Sequence, residues 1–434
     1  NEVVAITEYP TALFGEFSAH FLELPAPCII TSMKVNQRYF ATYKNNKLHH
    51  GFILVSNTLS KNPKEIIAGN IKVLRARLED ALFFYHNDLK NGFMPEKLKE
   101  VTFVEGLGSM WDKTERERLI VRVLGDLFKE NLQKEEQNLG LTFEILDQAS
   151  LLSKADLMSE MVYEFTELQG IMGYYYAKAL RYEDRVALAI KEQYLPNSEE
   201  SALPSNLTSA IIALAYKLDN LLGLFSVGKI PSGSRDPFAL RRAANGIIKI
   251  VLHFRLPFHL REVLQTLKKS YKDFDIDTLE NFILERLDST LEFNPSLLRA
   301  VLATNERDLV QIFQKLVALD SALKNQDKQL LTQTFKRLAN ITKEVDLTGE
   351  LPIKEDKLLA SEEIELYNSF KLCKSNDYTK HLESLLSLSP ILERFFDKVL
   401  VNAPDEDFKN NRKHLIARIY KEFLSIADIK EISF

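Results

Sequence analysis

The chain has 434 residues, of which 45% are hydrophobic, and a formal net charge of −5. Its length allows about two to four domains, and its low content of Gly (15) and Pro (14) favours a mostly helical protein. The lack of a long apolar run argues against a membrane span, the two distant cysteines give no disulfide framework, and the acidic balance disfavours a uniformly basic nucleic-acid binder.

Residues 1–63 have a composition unlike the remainder of the chain. The runs Cys28–Met33, Tyr39–Tyr43 and Phe52–Ser56 are rich in β-branched, apolar and aromatic residues, which predicts short strands. Asn45 and Asn46 predict a hairpin turn. Because the first residue is not Met and no signal peptide follows, we expect this segment to be the end of an α+β domain in a longer chain, with partner strands upstream.

From residue 64 the apolar residues recur with a helical period. Steps of three and four predict one apolar stripe made of Ile71, Leu74, Leu78, Leu82, Tyr85 and Leu89. The glycine-rich run at 106–116 resembles a phosphate loop only superficially, because it lacks Gly-Lys-Ser/Thr at the start of a helix.

Two further helices are predicted in the middle of the chain. Ser153, with Asp156 three residues later, approximates a capping box and predicts an amphipathic helix that continues to Met172. Its acidic residues Glu160, Glu164 and Glu167 are expected to form a solvated face. Pro204-Ser205-Asn206 predicts the start of the next helix, which is strongly apolar.

The run from Gly228 to Arg242 predicts a loop that leads into a basic helix. Asp236 occupies an N-cap position and Pro237 the first helical position. Four basic residues, Lys229, Arg235, Arg241 and Arg242, surround this junction. Helix N-termini and arginine side chains both suit phosphate, so the run is either an anion-binding surface or a capped helix with solvated arginines.

Residues 256–330 predict a helical linker bundle, and residues 331–434 a separate helical unit. The latter begins with a basic helix that carries Lys336, Arg337 and Lys343. In its last helix the buried stripe is Ile416, Ile419, Phe423 and Ile426. Arg412 lies in line with this stripe, which predicts that its stem is buried and that its head holds the acidic turn 405–407. Arg418 and Lys421 face outward and are candidates for RNA phosphate contacts.

Several stretches, in chain order, resemble one known family. They are Met33–Phe40, Ala68–Tyr85, Lys154–Gly173, Lys217–Asp219, Pro231–Arg242, the basic run at 336–341 and Phe395–Val401. Together they resemble the beta subunit of bacterial heterotetrameric glycyl-tRNA synthetase. The resemblance implies a mainly α, multi-domain protein: a small N-terminal α+β piece (1–63), a degenerate HD-like helical domain (64–255), the linker bundle (256–330) and a DALR-type anticodon-binding domain (331–434).

The HD-like stretch departs from the metal enzymes after which it is named. In HD phosphohydrolases a His-Asp pair binds the metal, whereas here Ala155 precedes Asp156. A single carboxylate is a poor site for a divalent ion, so we expect no metal around Asp156.

The resemblance also implies a function. The chain would bind glycine tRNA and position it for ATP-dependent aminoacylation at the active site of the alpha subunit, in a cytoplasmic alpha2beta2 assembly without membrane contact. ATP and glycine would be used by the holoenzyme, with no catalytic residue, metal or cofactor in this chain. The acceptor arm would meet Lys229, Arg235, Arg241 and Arg242, and the anticodon side would meet Lys336, Arg337, Lys343, Arg418 and Lys421. A helical protein-binding scaffold and an HD-type metal phosphohydrolase are the alternatives.

Overall fold

The computed structural model describes residues 2–59, 61–135, 138–324 and 327–433. The described residues are mainly helical, as predicted. They form two compact units: unit 1 is Asn1–Gly246 with Ser270–Lys272, and unit 2 is Ile247–Lys269 with Asp273–Phe434. The sequence predicts four segments, with boundaries after residues 63, 255 and 330. The division into two units does not test these boundaries, which stay predictions.

Unit 1 begins with a short helix and a three-stranded antiparallel sheet. Helix α1 (Glu2–Ala5) precedes strands β1 (Thr11–Glu16), β2 (Phe40–Lys44) and β3 (Lys47–Ser56), which pair in the order β1-β3-β2. Asn45 and Asn46 join β2 to β3 with φ of 51° and 59°, the left-handed pair that a tight hairpin turn requires. The predicted hairpin is therefore confirmed, while β1 is a strand that the sequence analysis missed.

The prediction of a strand over Cys28–Met33 is wrong. The segment forms helix α2 (Ala26–Thr31), which continues into a π-helical turn at Ser32–Asn36. Cys28, Ile29, Ser32 and Met33 are all buried. Burial that repeats after four residues fits one face of a helix, whereas a strand with one buried face would alternate.

Helix α3 (Pro63–Asn91) packs against the sheet and confirms the predicted apolar stripe. Leu74 and Leu78 are fully buried and share one hydrophobic core with Phe21, Phe52 and Met172. The N-terminal α+β segment and the first helical segment are thus joined by a common core.

Unit 1 continues with a helical layer. It contains β4 (Thr102–Val104), β5 (Gly108–Ser109), α4 (Met110–Leu127), α5 (Lys129–Glu135), α6 (Leu139–Leu152), α7 (Glu160–Glu164), α8 (Ile171–Ala179), α9 (Asp184–Glu192) and α10 (Leu207–Ser226). The glycine-rich run that resembled a phosphate loop leads into a capping box, in which Ser109 and Asp112 satisfy each other's backbone N–H groups at the start of α4.

The single helix predicted from Ser153 to Met172 is wrong. The chain instead breaks into a 3₁₀ turn at Ala155–Met158, the short α7, a second 3₁₀ turn at Thr166–Leu168, and α8. The Asp156 carboxylate accepts hydrogen bonds from the backbone N–H groups of Gly170 (2.6 Å) and Gly173 (3.1 Å). Gly170 adopts φ of 78°, so the chain folds back over Asp156 instead of extending along one axis.

Helix α10 is the central helix of unit 1 and packs on α4, α6 and α9. Asn206 caps it by accepting the N–H of Ser209 at 2.9 Å, as its position in the sequence predicts. By length and composition α10 is apolar enough to cross a membrane, but 94% of its most apolar window is buried inside the protein. It is therefore a core helix here.

Helix α11 (Leu240–Phe254) leads from unit 1 into unit 2. The other helices of unit 2 are α12 (Leu260–Lys268), α13 (Ile276–Leu291), α14 (Pro295–Leu302), α15 (Leu309–Leu323), α16 (Lys328–Thr342), α17 (Ser361–Lys371), α18 (Tyr378–Leu386), α19 (Ser389–Lys398) and α20 (Glu406–Leu424).

Contacts link the predicted linker bundle to the predicted C-terminal unit. Helix α15 packs on α18, and the Tyr378 hydroxyl donates to Gln311 at 2.8 Å. Near the C-terminus, the backbone N–H of Asp428 donates to the carbonyl of Ala300 at 2.8 Å. Both segments therefore belong to one compact unit.

Candidate nucleic-acid interface

The loop before α11 places its acidic residue against the start of the helix. The Asp236 carboxylate accepts the N–H groups of Leu240 (2.8 Å) and Arg241 (2.9 Å), so it satisfies donors of the first turn. The helix begins at Leu240, and the prediction that Pro237 is the first helical residue is wrong. Ala239 has φ of 54°, which interrupts the helical path between them.

The four basic residues predicted for the acceptor side of a tRNA lie together on this loop and the first turn of α11. Lys229 and Arg235 are exposed, whereas the guanidinium of Arg241 donates to the carbonyl of Gly233 (2.5 Å) and that of Arg242 to the carbonyl of Asn197 (2.8 Å). Within the described part of the chain, none of the four pairs with a carboxylate. Their positive charge is thus left for an external anion, and Arg241 also holds the loop in shape.

Of the five basic residues predicted for the anticodon side, Lys336 and Arg337 lie on α16, Lys343 directly follows that helix, and Arg418 and Lys421 lie on α20, all in unit 2. All five are exposed. The two helices pack through Phe335 and Phe423, whose ring centroids are 5.7 Å apart. Arg337 is 3.5 Å from Asp397 and lies over the Phe396 ring, whereas the other four, Lys336, Lys343, Arg418 and Lys421, form no ion pair among the described residues.

Arg418 and Lys421 lie close to different neighbours. The charge of Lys421 acts on Asp346, where hydrogen bonds from Thr348 are the main cause of a lowered pKa. The charge of Arg418 acts on the hydroxyl of Tyr367, which donates to Glu355. The structure thus gathers the five residues on a packed helix pair but does not focus them on one point.

Arg412 has a buried stem, as predicted, but a different partner. Its guanidinium pairs with the buried Glu363 and donates to the carbonyl of Leu400 at 2.9 Å. The prediction that it holds the acidic turn 405–407 is wrong, because Asp405 caps α20 and Asp407 pairs with Lys357 at 3.3 Å.

Unit 1 also contains a buried charge cluster that the sequence analysis missed. Lys113 lies 2.7 Å from Asp219 and 3.0 Å from Glu117, and Lys154 lies 2.8 Å from Glu117. Arg116 adds a second contact to Asp219 at 2.7 Å. A lysine and an aspartate that interrupt the apolar helix α10, at 217 and 219, are the sequence signal that could have revealed it.

Burial and pairing oppose each other in this cluster. Burial would raise the pKa of Asp219, but Lys113 and Arg116 hold it below its usual value. Burial would lower the pKa of Lys113, but Asp219 and Glu117 raise it. For Lys154 burial prevails, and its pKa is lowered despite Glu117.

Asp156 lies apart from any histidine ligand. Burial raises its pKa to about 6, against the opposing effect of the Gly170 and Gly173 N–H groups. Among the residues that the structure describes, the His/Cys/Asp/Glu group spaced to hold a metal is Glu16, His49 and His50, in another part of unit 1. That no metal binds around Asp156 stays a prediction.

Comparison with known proteins places this architecture in a family. The model of the glycyl-tRNA synthetase beta subunit family matches residues 1–303, and the chain belongs to that family. Proteins named glycine–tRNA ligase beta subunit are 48% identical in Helicobacter pylori (strain Shi470), 39% in Coxiella burnetii (strain Dugway 5J108-111) and 37% in Clostridioides difficile (strain 630). Each alignment covers 100% of this chain and 64% of the relative, so the chain spans less than two thirds of these proteins.

Proposed function

We propose that this chain is the tRNA-binding part of a glycyl-tRNA synthetase. It positions glycine tRNA for ATP-dependent aminoacylation at the active site of the alpha subunit, within a cytoplasmic alpha2beta2 assembly. Membership of the beta-subunit family carries this proposal. ATP and glycine are substrates of the holoenzyme, and this chain contributes RNA contacts instead of bond-making groups.

The arrangement of charge supports RNA binding. The protein has a net charge of −5, yet two local surfaces carry exposed cations without carboxylate partners among the described residues. One is the 229–242 segment of unit 1, and the other is the α16–α20 pair of unit 2. Such cations neutralise phosphates and fix the position of an RNA without reading its bases. We assign the first surface to the acceptor arm and the second to the anticodon side.

The test compares two RNAs and two double variants. Lys229→Gln/Arg235→Gln removes two exposed charges of unit 1, and Arg418→Gln/Lys421→Gln removes two of unit 2. The first pair should weaken binding of a glycine-tRNA minihelix that lacks an anticodon, and the second only binding of full-length tRNA. Each should reduce the slope of log affinity against log salt by roughly 1.5–2 for the affected RNA.

A matched control carries the same loss of charge elsewhere. Lys44→Gln/Lys47→Gln removes two exposed lysines of the β2–β3 hairpin and should leave both RNAs unaffected. If the hairpin pair changes the salt slope as much as the other two pairs, the assigned surfaces have no special role. If the minihelix responds to the α20 pair alone, the two ends of the tRNA are assigned the wrong way round.

The same titration separates the alternative functions. A scaffold that binds only protein would show no salt-dependent affinity for tRNA, because no counterions would be released. A metal phosphohydrolase would hold a stoichiometric metal that Asp156→Ala removes. We also expect no ATP–pyrophosphate exchange by this chain without the alpha subunit, and exchange by the purified chain would contradict the proposed division of labour.

A further inference from the structure

Unit 1 contains a cavity of about 480 Å³ that is open to solvent and lies beside the buried charge cluster. It lies between α4, α10, the loop at 194–197 and the segment that leads into α11. Lys154, Lys217 and Arg242 line it together with the rings of Tyr194, Tyr216 and Phe238. This volume lies in the range of sites for small organic ligands.

Lys217 is the residue in this wall whose charge the protein does not balance. Its side chain is 2% exposed, and its ammonium donates to the carbonyl of Tyr194 at 3.1 Å. Among the described residues no carboxylate pairs with it, and the charge that acts on it is the positive one of Arg242. Burial, reinforced by the positive charge of Arg242, lowers the pKa of Lys217 to about 7. An anion bound beside its amino group would favour the protonated form, so the unpaired lysine in the cavity wall suits an anionic ligand.

The other basic residues around the cavity differ from Lys217 in their partners. Lys113 contacts both Glu117 and Asp219, and Lys154 contacts Glu117, so each of these lysines has a carboxylate partner that Lys217 lacks. Arg242 donates to the Asn197 carbonyl, pairs with no carboxylate among the described residues, and lies at the exposed edge of the cavity. Lys217 and Arg242 together therefore offer two positive charges to one anion, a number that suits a phosphate monoester.

The aromatic side chains of the wall define the remainder of the ligand. The rings of Tyr194 and Tyr216 meet edge to face at 4.9 Å, and the exposed ring of Phe238 lies at the mouth. Aromatic side chains stack on nucleobases with little preference for sequence. We propose that this cavity binds a nucleoside monophosphate, with its phosphate on Lys217 and Arg242 and its base against the aromatic wall.

The ligand chemistry has two sources, a free nucleotide or the terminal nucleotide of an RNA. Calorimetric titration of the protein with AMP, adenosine and inorganic phosphate tests the chemistry. AMP should bind at least tenfold more tightly than adenosine, and Lys217→Met should weaken AMP at least tenfold. Methionine has a similar shape and removes a desolvated charge, so this variant should fold. Arg242→Gln, at the exposed edge, should weaken AMP in the same direction.

The control and the competition experiment complete the test. Lys191→Met removes an exposed lysine of α9 and should leave AMP binding unchanged. A competition experiment uses two minihelices, one with an intact 3′ end and one without its last nucleotide. If only the intact minihelix displaces AMP, the natural ligand is the RNA terminus; if neither displaces it, the ligand is a free nucleotide. The proposal is overturned if AMP does not bind, or if Lys217→Met and Lys191→Met have equal effects. The Lys229→Gln/Arg235→Gln variant tests tRNA binding independently, so failure of the nucleotide proposal can be told apart from failure of the tRNA proposal.

Discussion

The buried charge cluster of unit 1 and the exposed basic residues of α20 in unit 2 differ in how positive charge is held. In unit 1, Lys113 and Lys154 are removed from water and paired with Glu117 and Asp219. In unit 2, Arg418 and Lys421 of α20 lie in solvent and form no ion pair among the described residues.

Basic side chains therefore have two roles in this protein: buried ones stabilise the fold, and exposed ones are available to bind a ligand. Buried ions lose their hydration, so each one depends on its partner, and the loss of a partner destabilises the fold. Exposed ions contribute little to stability and are therefore free to meet a ligand. We therefore expect substitutions in the buried cluster to change stability, and substitutions of the exposed basic residues on α16 and α20 to change RNA affinity.

The largest effect is expected from Asp219→Asn in the buried cluster. This change removes a charge that pairs with both Lys113 and Arg116, while Lys113 stays buried and Arg116 stays largely removed from solvent. The free energy of unfolding of unit 1 should fall by about 3–5 kcal/mol. Urea denaturation followed by the fluorescence of Trp111, the single tryptophan, measures it, since Trp111 lies in unit 1. A loss no larger than that of an exposed substitution would contradict the distinction.

A pH-dependent effect is expected at Asp156. Its pKa rises from 3.8 to about 6 on folding, so between these values the folded chain keeps a proton that the unfolded chain releases. Its contribution to stability is therefore lost as the pH rises through this window, by up to about 3 kcal/mol. Asp156→Asn cannot ionise, so its stability relative to the native chain should increase from pH 4 to pH 7. A difference that does not vary with pH would contradict the raised pKa.

Glu363 is a buried carboxylate of unit 2, and it tests whether burial alone makes a charged residue important for stability. Glu363 accepts the N–H groups of Leu359 and Ala360, both at 2.8 Å, and pairs with Arg412. Glu363→Gln should lower stability by about 1.5–3 kcal/mol, because a charged hydrogen-bond acceptor is lost. Hydrogen exchange of the amides of α17 and α20 measures the effect, and unchanged protection would show that Arg412 does not depend on this carboxylate.

The smallest effect is expected at the exposed pair between Arg337 and Asp397. Their charged atoms are 3.5 Å apart and both side chains are more than half exposed. Asp397→Asn should change stability by less than about 0.5 kcal/mol. By freeing Arg337 it should raise tRNA affinity at low salt. Filter binding checks the second effect, and a weaker affinity would mean that Arg337 does not face the RNA.

The sequence predicts those parts of the fold in which one local signal prevails. The stripe of α3, the start of α10 after Pro204-Ser205-Asn206 and the Asn45–Asn46 turn are each encoded within a few residues, and all three are confirmed. Cys28–Met33 has the composition of a strand, but its packing favours a helix. The helix predicted after Ser153 is interrupted because Asp156 bonds to Gly170 and Gly173, and a hydrophobic pattern does not reveal such a contact.

The basic surface at 229–242 could be predicted from the sequence, whereas the buried charge cluster could not. The basic residues of the 229–242 segment are close in sequence, so their proximity in space follows directly. Lys113, Lys154 and Asp219 come from three segments that only the tertiary fold brings together. A charged residue in an apolar helix, such as Asp219 of α10, indicates that a partner exists but not which residue it is.

Gly246 of α11 has a consequence for how the sequence can change over time. A β-carbon at this position would lie 2.4 Å from Cε of Lys217, so the long lysine fits only because glycine faces it. The two positions are thus coupled: a larger residue at 246 requires the end of the Lys217 side chain to move or to shorten. The order of substitutions during evolution is therefore constrained. Once position 217 has a shorter side chain, a larger residue can replace Gly246, and that residue then disfavours the return of lysine at 217.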